Sequence, residues 1–354
     1  MLGRFSRYWK RIDILTPNAP DARPCTIHGN VFVHPADKHR ILQPVFIQQK
    51  GNALFAQRDY QLVTSHDFGF FYNGIGAYRL LKDRNTPLVS EIHHIEGYPI
   101  ASSIREKLWR FTAQHYIPFI AKRGAHFRVV NQTVAQDLRD LGVSDNKIHM
   151  IYSLYLDLEL YRPQAVEKIY DILFVGRLAQ NKGIMLLLEA VRKVTQYHPT
   201  ITLAIRGEGG LKPQIDRFIQ AHDLSENIIF LPRVDDSNQM PTLYSQAKML
   251  VCASTVEGNP RVTIEAMACA TPVISTRVGI MPDVIDDGDN GLLVDWSSED
   301  LAQAIQHLLE DDTAYQQIAE AGRKSVLRFD ADTMIERYAK AYHDIIEQNQ
   351  KRPT

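Results

Sequence analysis

The residues best suited to chemistry lie in the stretch STVEGNPRVTIEAMACATPVIST, 254–276. Glu257 and Glu265 are separated by Gly258-Asn259-Pro260-Arg261, with Val262 following the turn. Asn259 suits a helix cap and Pro260 the first helical position, since proline lacks an N–H that would go unpaired there. The free N–H groups and the positive dipole end of such a helix favour an anion, above all a phosphate. Helical side chains lean towards the N-terminus, so Glu265 would point back to the same region. A carboxylate beside a phosphate is repelled; it is better used accepting hydrogen bonds from a neighbouring diol such as a ribose. Glu257, ahead of the helix, would do the same for a second sugar. The plain alternative is a capped helix with two exposed glutamates.

A second group lies in FVGRLAQNKGIMLLLEAV, 174–191. After Gly176, Arg177 leaves a strand end directly, and Lys182 stands at the start of the next helix, followed by Gly183. Arginine offers bidentate hydrogen bonds to phosphate and lysine a compact charge; together they would neutralise a departing diphosphate. Two surface cations flanking a loop are the alternative. AIRGEGG (204–210) brings Arg206 to a glycine turn that does not match the dinucleotide fingerprint. FLPRV (230–234) either offers Arg233 and the backbone of Val234 to a nucleobase edge or simply ends a strand. PLVSEIHHIEG ends its strand in His93-His94, of which alternation lets one face a cleft. Asp287-Gly288-Asp289 imitates a metal-binding DxD, but it sits in a DDGDNG turn where Asp and Gly serve the backbone, so no metal is expected.

All these groups follow short apolar runs. In the first half the runs are 12–17, 60–66, 87–94 and 126–131, with helical stretches near 75–84, 103–122 and 132–141. In the second they are 170–176, 201–207, 228–234, 249–254, 271–276 and 291–295. Apolar runs broken by helices indicate parallel strands buried on both faces. The fold class is therefore α/β, with two Rossmann-like doubly wound parallel-sheet domains. The boundary is placed in the mixed-charge stretch 155–168, giving a first domain over 1–160 and a second over 161–328. A terminal helical segment, 329–354, is expected to cross back to the first domain. Ligands in open parallel sheets bind beyond the carboxyl ends of the strands, which places the expected site in a cleft between the two sheets.

The 354 residues are 45% hydrophobic and 23% charged, with 40 Lys+Arg against 41 Asp+Glu, so no global charge calls for a nucleic acid. Cys25, Cys252 and Cys269 form no CxxC pair, as in a reducing compartment without a disulfide framework. No apolar run reaches membrane-spanning length, and MLGRFSRYWKR lacks the apolar core of a secretory signal, so a soluble cytoplasmic protein is expected. The stretch 104–128 carries six Lys/Arg against one acid, interleaved with Trp109, Phe111, Tyr116 and Phe119. Such a face could rest on the inner membrane surface and present a lipid-linked acceptor, or be a solvated helix face.

GRLAQNKGIMLLLEA followed by EGNPRVTIEAMACATPVIS resembles the nucleotide-sugar half of retaining glycosyltransferases of family 4, which have the two-domain GT-B fold. The likeness covers residues 60–347 and is strongest over 170–295. The resemblance implies that Arg177 and Lys182 bind the diphosphate, Glu265 the ribose and Glu257 the transferred sugar. It gives the amides from Asn259 to Val262 the distal phosphate, and His93 a place near the donor sugar's C6 hydroxyl. It implies no metal or cofactor, a nucleoside diphosphate sugar as donor, and a glycan or lipid-linked sugar as acceptor. The implied reaction is hexose transfer with retention, by front-face attack in which the leaving diphosphate takes the acceptor's proton. There are departures. RIDILTP (11–17) resembles the family's second strand, so the first strand and its glycine-rich loop are missing; YSLYLD (152–157) replaces an Asn-Gly turn, and Gly-Asn-Pro-Arg stands where many members have Gly-Phe-Gly. A sugar-nucleotide-binding protein without turnover, or a sugar-nucleotide epimerase of similar architecture, are the alternatives.

Overall fold

The structure is a computed structural model that describes residues 1–37, 39–95, 104–232 and 237–351. The chain forms two compact units, one of Met1–Ser153 with Asp332–Thr354, the other of Leu154–Ala331.

In the first unit, β1 (Ile12–Thr16), β2 (Cys25–Ile27) and β3 (Val31–Pro35) form a sheet of order β1-β3-β2. β1 and β3 are parallel, and β2 runs antiparallel to β3. A His-Gly turn with positive φ at His28 (52°) and Gly29 (79°) reverses the chain between β2 and β3. The expectation of parallel strands alone is corrected here: three-residue β2 is too short to show a period, and His-Gly is a weak substitute for the usual Asn-Gly hairpin signal. A second sheet holds β4 (Val63–His66), β5 (Leu88–Ile92), β6 (His126–Val129) and β7 (Ile148–Met150), in that order and all parallel.

Alternation along the second sheet separates two apolar clusters. Val63, Leu88 and Ile92 join the one containing Ala77, Leu80 and Phe127. Leu62 and Val89 join the one containing Trp9, Tyr338 and Tyr342. The two tyrosines come from the closing helix Ala331–Gln350, whose residues from Asp332 onward belong to this unit.

The second unit contains β8 (Tyr170–Val175), β9 (Leu203–Arg206), β10 (Ile228–Phe230), β11 (Ala247–Cys252), β12 (Val273–Thr276) and β13 (Leu292–Val294). All are parallel, in the order β10-β9-β8-β11-β12-β13. The helix Ile184–Val194 shows why the sequence folds this way: Ile184, Leu187, Leu188, Val191 and Val194 recur at helical spacing, and all are buried. Residues 154–161 pack into this unit, where Leu156 bridges to Asp330 and Leu154 and Leu156 are buried. All three cysteines are free. No helix among the described residues is long and apolar enough to cross a membrane.

Candidate functional site

In the second unit the strand order reverses between β8 and β11, so the loops leaving these two strands flank a topological switch point. The loops touch. Thr255 N donates to Asn181 O at 2.9 Å, and Asn181 Nδ2 reaches Val256 O at 3.5 Å. Gly183, at φ 66°, makes the contact feasible, since a Cβ there would lie 1.8 Å from Ala253 O. Ser254 O accepts from Thr276 Oγ1 at 2.6 Å and from Trp296 Nε1 at 2.8 Å, which fixes the second loop from below.

These loops bring Lys182 and Glu257 into contact. Lys182 Nζ donates to Glu257 Oε1, which also accepts from Ser254 Oγ at 3.1 Å. Glu265 is buried; its Oε2 accepts from Tyr244 Oη at 2.8 Å, and Arg261 Nη2 lies 3.5 Å from its Oε1. Burial pushes the Glu265 carboxyl up, opposed by the Tyr244 and Tyr161 hydroxyls and by the charges of Arg261 and Arg206. Arg206 ends β9, and its carbonyl accepts from Gly176 N at 3.0 Å. Arg177 leaves β8 exposed, and its guanidinium engages no partner among the described residues. Gly258 O accepts from Ile280 N at 3.1 Å, tying the acidic loop to the turn after β12.

The helix start is corrected by one residue. Pro260 (φ −71°, ψ 88°) is the N-cap, and the helix runs Arg261–Ala268. Thr263 N and Oγ1 both donate to Pro260 O, so the first helical bonds form on the proline carbonyl and Asn259 is left ahead of the cap. Asn259 Oδ1 is buried with no partner among the described residues, and Val262 is half-buried. Arg233 and Val234 lie outside the described residues.

His93 lies in the other unit, just beyond β5, half-buried. Sequence reasoning missed the ion network beside it, whose Glu91 Oε2 stands 4.0 Å from its Nε2. Glu91, two residues earlier and so on the same strand face, is buried. Its Oε2 accepts from Arg128 Nη1 at 2.8 Å and pairs with His66 Nε2 at 3.0 Å; its Oε1 accepts from Tyr342 Oη at 2.6 Å and from Tyr338 Oη at 2.5 Å. The His66 hydrogen bond and the Arg128 charge overcome desolvation and keep Glu91 ionised, well below the usual carboxylate range. The bond to Glu91 raises His66. Burial, with the Arg128 and His66 charges, lowers His93 to about 4. His66, Glu91 and His93 could hold a metal by spacing alone, their ligand atoms lying within 4.8 Å of one another. Both Glu91 oxygens are already occupied, and the Arg128 guanidinium would repel a cation at that position, so the donor set fits an ion network. The only sequence signal was the Glu91–His93 alternation; Arg128 and the tyrosines are distant in sequence.

Two Rossmann-like units with this switch-point site define the class of GT-B glycosyltransferases. Solved structures agree on the fold: sucrose-phosphate synthase from Thermosynechococcus elongatus gives a TM-score of 0.78 over 98% of this chain and 92% of that one, at 22% identity. Anabaena HepE in complex with UDP gives 0.72 over 90% and 87%, at 21% identity. The family model Glycosyltransferase Family 4 matches residues 10–153, and Glycosyl transferases group 1 matches residues 161–325. The chain belongs to the group 1, family 4 glycosyltransferases. An uncharacterized glycosyltransferase of Methanocaldococcus jannaschii is 29% identical over 83% of this chain and 78% of its own. A D-inositol 3-phosphate glycosyltransferase of Corynebacterium jeikeium is 32% identical, but over only 49% of this chain and 43% of that protein. The Campylobacter jejuni enzyme that adds N-acetylgalactosamine to a diphosphoundecaprenol-linked sugar is 26% identical over 73% and 69%.

Proposed function

We propose that the protein transfers a hexose, with retention of anomeric configuration, from a nucleoside diphosphate sugar to a hydroxyl of a glycan or lipid-linked acceptor. The observation that carries this reading is the meeting of the Arg177/Lys182 loop and the Glu257/Glu265 turn at one switch point. In this reading the diphosphate draws Lys182 away from Glu257, and Arg177, which has no partner to give up among the described residues, closes on the same oxygens. Glu257 is then free to accept from hydroxyls of the transferred sugar, while Glu265, held by Tyr244, accepts from the ribose diol. As the glycosidic bond breaks, the two cations stabilise the charge developing on the diphosphate, and that oxygen takes the acceptor's proton. His93, held neutral, serves as a hydrogen-bonding group towards the sugar rather than as a charged acid.

A lipid-borne acceptor fits the helix Ile104–Lys122. Ile104, Leu108, Phe111 and Phe119 are exposed on it at helical spacing, flanked by Arg105, Lys107, Arg110, Lys122 and Arg123. An apolar stripe with a basic border suits an anionic lipid surface. Thermal shifts with a panel of UDP-, GDP- and ADP-sugars, followed by product analysis with the stabilising donor, test the reading. Absence of any stabilising sugar nucleotide would end it.

A further inference from the structure

Every group that the transfer reading assigns to the donor, apart from His93, lies in the second unit. The carboxyl ends of the strands in the first unit are therefore left to the acceptor. There β4 ends on His66, and His93 directly follows β5. The two imidazole rings pack edge to face with centroids 5.1 Å apart.

The sheet register explains how His66 is held. His66 is the partner of Glu91 across β4 and β5, and Glu91 of Arg128 across β5 and β6, so the three side chains form a row on one face. Neighbours along β4 turn the other way: Asp67 Oδ2 accepts from Ser65 Oγ at 2.8 Å and from Ser90 Oγ at 2.6 Å, all three residues being buried. Exposure rises sharply at one end of the row. The Arg128 and Glu91 side chains are 3% and 2% exposed, whereas that of His66 is 61% exposed. Its Nε2 is held by Glu91 Oε2 at 3.0 Å, and its carbonyl accepts from Asn73 Nδ2 at 2.9 Å, so ring and backbone are both fixed. Glu91 is ionised and can only accept, so Nε2 carries a proton in either charge state of the ring. That leaves Nδ1, on the far side of the ring, with no partner among the described residues. The closing helix does not account for this third member of the row. Its tyrosines take Oε1, and Arg128 already balances Oε2.

We propose that His66 binds a hydroxyl of the acceptor through Nδ1, and that Glu91 is the positioning residue that turns this nitrogen outward. The inference rests on the transfer reading above. The hydroxyl is a neighbour of the one that reacts, since the reacting hydroxyl gives its proton to the diphosphate. A hydroxyl both donates and accepts, so it pairs with Nδ1 whether the ring is neutral or charged. The acceptor class this implies is a sugar or polyol with a second hydroxyl beside the reacting one. A simple alcohol lacks the group that His66 reads.

Two substitutions at this one position separate acceptor binding from a bracing role. Gln reaches the place of Nε2 and keeps the bond to Glu91, but offers nothing at Nδ1. Asn reaches the place of Nδ1 and gives up Glu91. With methyl α-glucoside, methyl α-galactoside and methyl α-N-acetylglucosaminide as acceptors, His66→Gln should raise acceptor KM about tenfold and leave donor KM unchanged. His66→Asn should recover much of that loss. A ring that only braces the sheet gives the reverse order, with His66→Gln close to the parent, and that order would overturn the proposal. Replacing the buried pair together, Glu91→Leu with Arg128→Met, should raise acceptor KM by itself and add little in the His66→Gln background. Fully additive effects would show that Glu91 does not act through His66. Nitrogen-15 resonances provide a readout without turnover: the same glycosides, added with the nucleoside diphosphate of the stabilising donor, should move His66 Nδ1 more than Nε2. No response at Nδ1 to any of them would also overturn the proposal. If a sugar nucleotide stabilises the chain and these tests fail, only the role of His66 falls. If no sugar nucleotide stabilises it, the transfer reading itself has failed.

Discussion

Lys182 and Glu257 form an ion pair between loops 75 residues apart in sequence, one leaving β8 and the other β11. Both side chains are partly buried, and Ser254 supports the carboxylate at 3.1 Å. The pair pre-positions a cation and a carboxylate side by side, each ready to exchange its partner for a part of the donor. Lys182→Ala should lower kcat by about 100- to 1000-fold, the usual loss when one group stabilising a developing charge is removed. Its melting temperature should stay close to that of the parent, because a partly exposed pair contributes little to stability. Near-parental turnover in this variant would remove Lys182 from the reaction.

Glu265 has one oxygen fixed by Tyr244 and the other 3.5 Å from Arg261. Glu265→Gln should weaken binding of the nucleoside diphosphate itself, by about 10-fold or more, since hydrogen bonds to a charged group are worth about 1.5–3 kcal/mol. Glu257→Gln should instead spare nucleoside diphosphate binding and weaken the intact sugar nucleotide. Calorimetric titrations with both ligands separate the two glutamates; equal effects of either variant on both ligands would show that they do not divide the donor between them.

The Glu91–Arg128 pair is structural. Both side chains are almost completely buried, and the carboxylate also holds Tyr338 and Tyr342 of the closing helix. Arg128→Ala should destabilise the first unit by about 3–5 kcal/mol, the usual penalty for stranding a buried charge. The double variant Glu91→Gln with Arg128→Met should be less destabilised than the sum of its parts, as urea unfolding would measure.

The two histidines near this pair impose opposite pH slopes. His93 titrates near 4 in the folded chain, below the usual range, so between pH 6.5 and 4 the unfolded chain binds more protons. Its contribution is present above that window and is lost as the pH falls through it. His66 is raised by its bond to Glu91, so its contribution is present at acid pH and is lost as pH rises through its folded value. His93→Gln should flatten the acid-side loss, and His66→Gln the decline above pH 6.5. Unfolding curves from pH 4 to 8 in which neither variant changes slope would refute the assignment.

The stripe on the helix Ile104–Lys122 predicts flotation with anionic liposomes that weakens as salt rises. Leu108→Ser with Phe111→Ser should abolish flotation while leaving transfer to a soluble acceptor intact. Equal flotation of this variant would place any lipid contact elsewhere.

The parts of this molecule that were legible in its sequence are those fixed by neighbours along the chain. Arg177, Lys182 and Glu257 could be read because each lies in the loop or turn that leaves an apolar run, and a parallel sheet brings such loops to one edge. The helix start was missed by one residue because the dihedral angles of Pro260 follow from Thr263 bonding its carbonyl, which residue types alone do not reveal. β2 left no periodic trace over three residues. The setting of His93 depends on Arg128, 37 positions from Glu91, and on Tyr338, 247 positions away, so no local pattern could carry it.

The discontinuity of the first unit bears on how the molecule is made. The second unit occupies an unbroken span, whereas the first needs Asp332–Thr354 to bring Tyr338 and Tyr342 against Glu91. On the ribosome, the middle of the message can therefore finish folding before the beginning does. Until the final helix emerges, the earliest-made strands wait with a carboxylate and its apolar surroundings uncovered, an interval in which chaperones would be expected to hold them.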